Sequence, residues 1–186
     1  TAVMQINGLI TKVIFDRNPS HEFYIEESFP LDWMFPHLTP FGIIMKIERE
    51  PVAALSDEQI ERDHEYWSQY SSRFIGNWIQ YDTPVSEVCA FATNVYQLRN
   101  QAVIAKYGAD PKFVRDDNAQ KAFSKLRNAI GKSVYYWRGA VNPATNSPKM
   151  IKEAEFALKQ AFAYCPYSPE TVFNYAALLA STGRTS

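Results

Sequence analysis

Long apolar runs, cysteine and an excess of either charge are what this sequence lacks. No stretch of its 186 residues approaches the roughly 18 consecutive apolar side chains of a membrane-spanning helix, so no span is expected in it. Nineteen Lys and Arg stand against twenty Asp and Glu, and the basic residues gather into no stripe that would track a phosphate backbone. Nucleic acid is therefore not an expected partner. The two cysteines, Cys89 and Cys165, lie far apart among apolar neighbours and read as small buried hydrophobes, not as a disulfide or a metal pair. No His-Glu-x-x-His spacing, paired cysteine, phosphate loop or nucleophile elbow occurs. Catalytic residues, metal ligands and cofactors are accordingly not expected. The chain opens at Thr1 with neither an initiator Met nor a signal-like segment, which suggests a piece of a longer protein.

What is present is a foldable composition. Apolar residues make up 46% and charged residues 21%, which excludes the disordered class for the bulk of the chain. The expected fold class is mainly α, as an α+β chain. A small strand-helix-strand unit at 1–52 leads into a helical region at 53–146, and a helical hairpin at 147–186 ends the chain.

In the first unit, apolar residues from Ala2 to Phe15 recur at helical spacing, and the turn-rich 16–20 segment closes that helix. Residues 22–26 and 43–47 read as two short strands, with Thr39-Pro40-Phe41-Gly42 as the turn before the second. Pro30 and Pro36 leave room for one helical turn between them. That order implies two parallel strands with the first helix covering one face.

After Pro51 the pattern is helical throughout. Ser56 and Gln59 form a capping box that opens a second helix with a stripe of Ile60, Trp67, Tyr70, Phe74 and Trp78. His64, between Asp63 and Glu65, falls on its charged side. A third helix starts at Asp82-Thr83-Pro84 and runs to Gly108. A fourth starts at Asp117 and carries Ala119, Phe123, Leu126, Ile130, Val134 and Trp137 on one face. Gly139 to Ser147 reads as a surface loop.

Two matching serine-proline starts, Ser147-Pro148 and Ser168-Pro169, open the last two helices. Within them Ala154, Leu158, Ala161 and Pro166 fall at the offsets of the second helix of a tetratricopeptide repeat. Tyr175, Ala176, Leu179 and Gly183 continue the register into the next repeat. Such a repeat would leave the apolar side of Val172, Tyr175 and Leu179 awaiting a further helix, so the array is expected to continue beyond this chain.

The block Phe23-Tyr24-Ile25-Glu26-Glu27-Ser28-Phe29-Pro30-Leu31-Asp32-Trp33-Met34-Phe35-Pro36, with Pro40-Phe41-Gly42-Ile43-Ile44-Met45-Lys46, resembles a block of large bacterial multi-spanning membrane proteins. So do Ala122-Phe123-Ser124-Lys125-Leu126-Arg127 and Ala161-Phe162-Ala163-Tyr164-Cys165-Pro166. That family is similar to protein O-mannosyltransferases of the GT-C type. The resemblance implies a soluble region with tetratricopeptide-like repeats on the extracytoplasmic (periplasmic) side of a bacterial membrane. The family's catalytic acid belongs to its membrane part, so no residue here inherits it.

Two functional readings follow. The first is a non-catalytic domain that docks a protein or peptide partner, an acceptor substrate or its own membrane domain. The second is a carbohydrate-binding or glycosyl-transfer domain in which Glu26, Glu27 and Asp32 cluster at a strand end and Trp33 stacks on a sugar. Glu27 and Asp32 as caps of the short helix, with Trp33 in the core, are the structural alternative for the same residues. A cytoplasmic repeat adaptor fits the composition as well.

Overall fold

The computed structural model describes residues 2–26 and 30–183. Among these, α1 (Ala2–Arg17) and β1 (Phe23–Ile25) lead through a 3-10 segment (Asp32–His37) to β2 (Leu38–Phe41) and β3 (Ile44–Ile47). Helices α2 (Asp57–Phe74), α3 (Val85–Ala92), α4 (Gln101–Tyr107), α5 (Asp117–Ile130), α6 (Pro148–Tyr164) and α7 (Pro169–Ser181) follow. The architecture is mainly α, with a small antiparallel sheet before a helical array.

The sheet differs from the expected parallel pair. Its order is β1-β3-β2 and both pairings are antiparallel, with Lys46 opposite Tyr24 on one side and Thr39 on the other. The segment expected to be a turn is itself the edge strand β2, where Pro40 costs no interior ladder bond. Gly42, at φ +61°, makes the reversal instead. A two-residue connection forces β3 back along β2, and β1 then takes the free edge of β3.

Helix α1 does not lie over a face of this sheet as expected. Of its residues only Phe15 is buried, packed on Phe23 and Trp33 with ring centroids 5.4 and 5.1 Å away. Arg49 fixes its C-terminal end by donating to the carbonyls of Phe15, Asn18 and His21. The short 3-10 segment takes no side-chain cap, so Asp32 does not play the capping role considered above.

The capping box at Ser56 and Gln59 forms as expected. α2 stops at Phe74, short of Trp78, because the chain turns at Gly76 with φ +82°. The expected third helix is broken in two. A π turn at Thr93–Gln97 and a left-handed Arg99 at φ +51° separate α3 from α4. The cap of α5 is Asp116, one residue before Asp117, and its carboxylate accepts from the Ala119 N–H. Gly131–Val141 then continues α5 with π winding, so Gly139 belongs to a helix and not to a loop. A Cβ on Gly139 would lie 2.7 Å from Ile151 Cδ1, which explains a bare backbone there.

Helix α6 is the centre of the array. Every residue from Glu153 to Ala161 is buried, and the small side chains Ala154, Ala157 and Ala161 let neighbours approach closely. At Gly131 a Cβ would sit 3.1 Å from Ala157 Cβ. Charges lie inside this packing. Arg127 Nη1 donates to Asp63 Oδ2 at 2.7 Å with both side chains buried, and Tyr135 donates to the same oxygen at 2.8 Å. Arg127 Nε reaches Gln160, Gln160 reaches Ser71, and Ser71 meets Tyr164. Asp63, expected on a charged solvent side, is thus a core residue.

Arg138 ties the sheet to the helices. Its buried guanidinium donates to the carbonyls of Val52 and Leu38, both at 2.9 Å, and to Val134 at 3.1 Å. Burial lowers its pKa to about 10, which still leaves it charged at neutral pH. Cys165 is buried as expected, whereas Cys89 is exposed on α3.

Candidate docking surface

The side chains nominated by the sequence do not gather at one point. Glu26 is exposed at the end of β1, with Lys125 Nζ 3.8 Å from its carboxylate. Glu27 lies outside the described residues. Asp32 and Trp33 line a cleft of about 750 Å³ between α1 and the 30–33 segment, together with Met4, Leu9, Lys12 and Leu31. The Trp33 ring is already engaged there. Its Nε1 donates to Thr11 Oγ1 at 3.2 Å, Phe15 packs on it, and the Lys12 ammonium lies 5.6 Å from its centroid.

A second cleft, of about 710 Å³, opens between the 81–85 turn and α6. On its flank Tyr81 donates to Glu153 at 2.8 Å, and His64 Nε2 lies 2.5 Å from the other oxygen of that carboxylate. Burial first, and the Glu153 carboxylate next, push the Tyr81 phenol well above its usual range, so it remains a donor. Lys159 donates to the Tyr81 carbonyl at 2.9 Å and pairs with Glu155 at 3.1 Å. Each polar group is thus occupied by a neighbour, and the cluster clamps the turn onto α6. The sequence placed His64 on a solvated face because its partner Glu153 is 89 residues away. Among the described residues no group of three His, Cys, Asp or Glu side chains is placed to hold a metal ion.

The repeat-signature residues lie in the hairpin of α6 and α7. Ala154, Leu158 and Ala161 are buried in α6, and Pro166 follows that helix in the connecting turn. Gly183 sits after α7 at φ +75°. The inner side of α7 is Thr171, Tyr175 and Leu178, held against α5 and α6; Thr171 Oγ1 meets Ser124 Oγ at 2.9 Å, and the Tyr175 ring packs on Phe162 at 5.9 Å. Tyr175 is therefore covered, contrary to the expected open side.

The uncovered side is instead Val172, Phe173, Ala176 and Ala180, with Leu179 half-buried at its border. Phe173 is 72% exposed. Next to it a groove of about 190 Å³ runs between Lys132 and Tyr136 on one side and Phe173, Asn174 and Ala177 on the other, with Leu158 contributing from α6. Helix α7 thus carries apolar residues on both its covered and its uncovered side, the pattern of a helix packed all round. Phe173 was missed at the level of sequence because the repeat register placed only Tyr175, Ala176 and Leu179 in view.

No family model, no curated protein and no solved structure matches the chain. The geometry therefore carries the functional argument.

Proposed function

We propose that this chain is a non-catalytic interaction domain of a larger protein, and that a helix of a partner, of an acceptor substrate or of the parent protein docks on the outer side of α7. The observation that carries this reading is the uncovered apolar face of Val172, Phe173, Ala176 and Ala180 on a helix whose inner face is already packed. Contiguous exposed apolar surface of that kind marks contact sites. Small residues at 176 and 180 allow a second helix to approach closely, as the tetratricopeptide-like register of Ala154, Leu158, Ala161 and Pro166 implies.

The resemblance to the GT-C-like membrane proteins supports placing the domain on the extracytoplasmic side of a bacterial membrane, beside a glycosyl-transferring part of the same protein. The cleft at Asp32 and Trp33 supports a carbohydrate-binding alternative. In that reading the half-buried Trp33 would stack a sugar through the part of its ring that Phe15 and Lys12 leave open.

The test compares the wild-type chain with Phe173→Glu as immobilised bait against the proteins of the source cell. A partner retained by the wild type and lost by the variant, with unchanged circular dichroism, supports docking on α7. Equal retention by both baits contradicts it. Sugar binding by calorimetry that disappears with Asp32→Asn would replace docking with the carbohydrate alternative.

A further inference from the structure

The apolar side chains that α1 turns outward are spaced as a helix-pairing seam. Val3, Ile6, Ile10 and Val13 alternate by three and four residues, the spacing of the two core positions of a heptad, and Leu9 and Ile14 flank them. These six residues are between 47% and 70% exposed. The opposite side of the helix is in use: Phe15 is buried, Thr11 accepts from Trp33, and Lys12 lies over the Trp33 ring. The seam therefore faces away from its own domain.

We propose that α1 is a self-association helix, paired antiparallel with α1 of a second copy about a two-fold axis. Charge selects the direction. Arg17 occupies the next core position after Val13, so a parallel pair would bring Arg17 against its own copy. An antiparallel pair that sets Val3 against Val13 and Ile6 against Ile10 keeps the two Arg17 side chains at opposite ends of the seam. The Lys12–Asp16 ion pair, 2.6 Å long, also stays outside the seam. A two-fold contact needs a self-complementary patch, and this one matches itself residue for residue.

Area agrees with a dimer of modest affinity. The exposed fractions of the six side chains amount to about 600 Å² of apolar surface per copy, or about 1,200 Å² for the pair, the lower end of specific interfaces. A lipid surface and another segment of a longer chain are the competing occupants.

The test is sedimentation equilibrium of the whole chain under reducing conditions, from about 1 to about 200 μM, which brackets the affinity of an interface of this size. The expected result is reversible dimerisation, with a dissociation constant raised at least about 100-fold by Ile6→Glu with Ile10→Glu, since each carboxylate would be buried without a partner. Circular dichroism should not change, because both side chains are exposed. A monomer across the whole range overturns the proposal, and so does a dimer indifferent to the double variant. A monomer that floats with lipid vesicles and loses them in the variant assigns the face to lipid instead. Phe173→Glu must leave the dimer intact; if it dissolves it, the pair forms through α7. Spin labels at Arg17→Cys, with the exposed Cys89 replaced by Ser, should lie roughly 27 Å apart along the axis at 1.5 Å rise per residue. Labels within about 10 Å of each other would mean a parallel pair and would refute the register.

Discussion

Replacing Arg127 by Met tests the core of the array in a way that separates charge from packing. The wild-type pair is fully enclosed, with Arg127 and Asp63 side chains at 0% and 1% exposure. Removing the guanidinium strands the Asp63 carboxylate, leaving, among the described residues, only the Tyr135 hydroxyl to hydrogen-bond it. Breaking a buried pair from one side costs about 3–5 kcal/mol. The ring contact to Trp67, 5.0 Å from the guanidinium, and the bond to Gln160 are lost as well. For a chain of this length each kcal/mol corresponds to about 2–4 °C, so Tm should fall by roughly 6–20 °C. Adding Asp63→Asn removes the stranded charge while keeping an acceptor for Tyr135. The double variant should therefore be at least about 1 kcal/mol more stable than Arg127→Met alone, a coupling expected of residues in direct contact. Among the described residues Asp63 Oδ1 and Arg127 Nη2 have no hydrogen-bond partner, so the pair itself contributes little net stability. The assay is urea unfolding at neutral pH followed by circular dichroism. A single variant within about 1 kcal/mol of wild type, or a double variant no better than the single, would refute a buried charge pair here.

Gly76→Ala should be severe, because a Cβ there would lie 1.8 Å from the Tyr107 carbonyl oxygen at φ +82°. Gly108→Ala, at φ +72° with nothing within 4 Å, should cost only about 1 kcal/mol of left-handed strain; equal losses in urea midpoint would show that the contact with Tyr107 is absent. The phenols of Tyr96, Tyr135 and Tyr164 are pushed upward, chiefly by burial. Their stabilising effect is complete below the unfolded phenol range near pH 10 and is lost as pH rises through their folded values. Absorbance at the phenolate band should therefore show a cooperative late step coincident with unfolding, whereas a smooth titration of all tyrosines near pH 10 would contradict their burial. Ser56→Ala should lower stability by about 1 kcal/mol through loss of the bond that the Gln59 N–H donates to Ser56 Oγ, read from the same urea midpoint; the bond from the backbone N–H of residue 56 to Gln59 Oε1 remains.

Local signals were the legible part of the fold. Ser56 and Ser147 cap their helices and Pro148 and Pro169 open the last two, with no cap bond from Ser168, because these signals depend only on neighbouring residues. β2 was hidden because Pro40 looks like a turn residue and its edge position is a tertiary fact. Without that strand the sheet direction was misread.

Periodicity identified the apolar stripe of α1 but could not say what covers it. The same limit applies to α7, where Tyr175 turns inward and Phe173 outward. Asp63, next to His64 on the charged side of its helix, and Arg127, Glu153 and Lys159, which no local signal marks, take partners set by packing of helices far apart in the chain. Of the nominated site, Asp32 and Trp33 share a cleft, while Glu26 faces Lys125.

The central claim, a helix docked on the outer side of α7, is tested most directly by contact at Phe173. A photo-crosslinking amino acid placed at 173 in the full protein, in its native cell, should yield a covalent adduct with a discrete protein segment. The same group at Glu61, exposed on α2, should not. A crosslink at 173 no stronger than that at 61 would contradict the account.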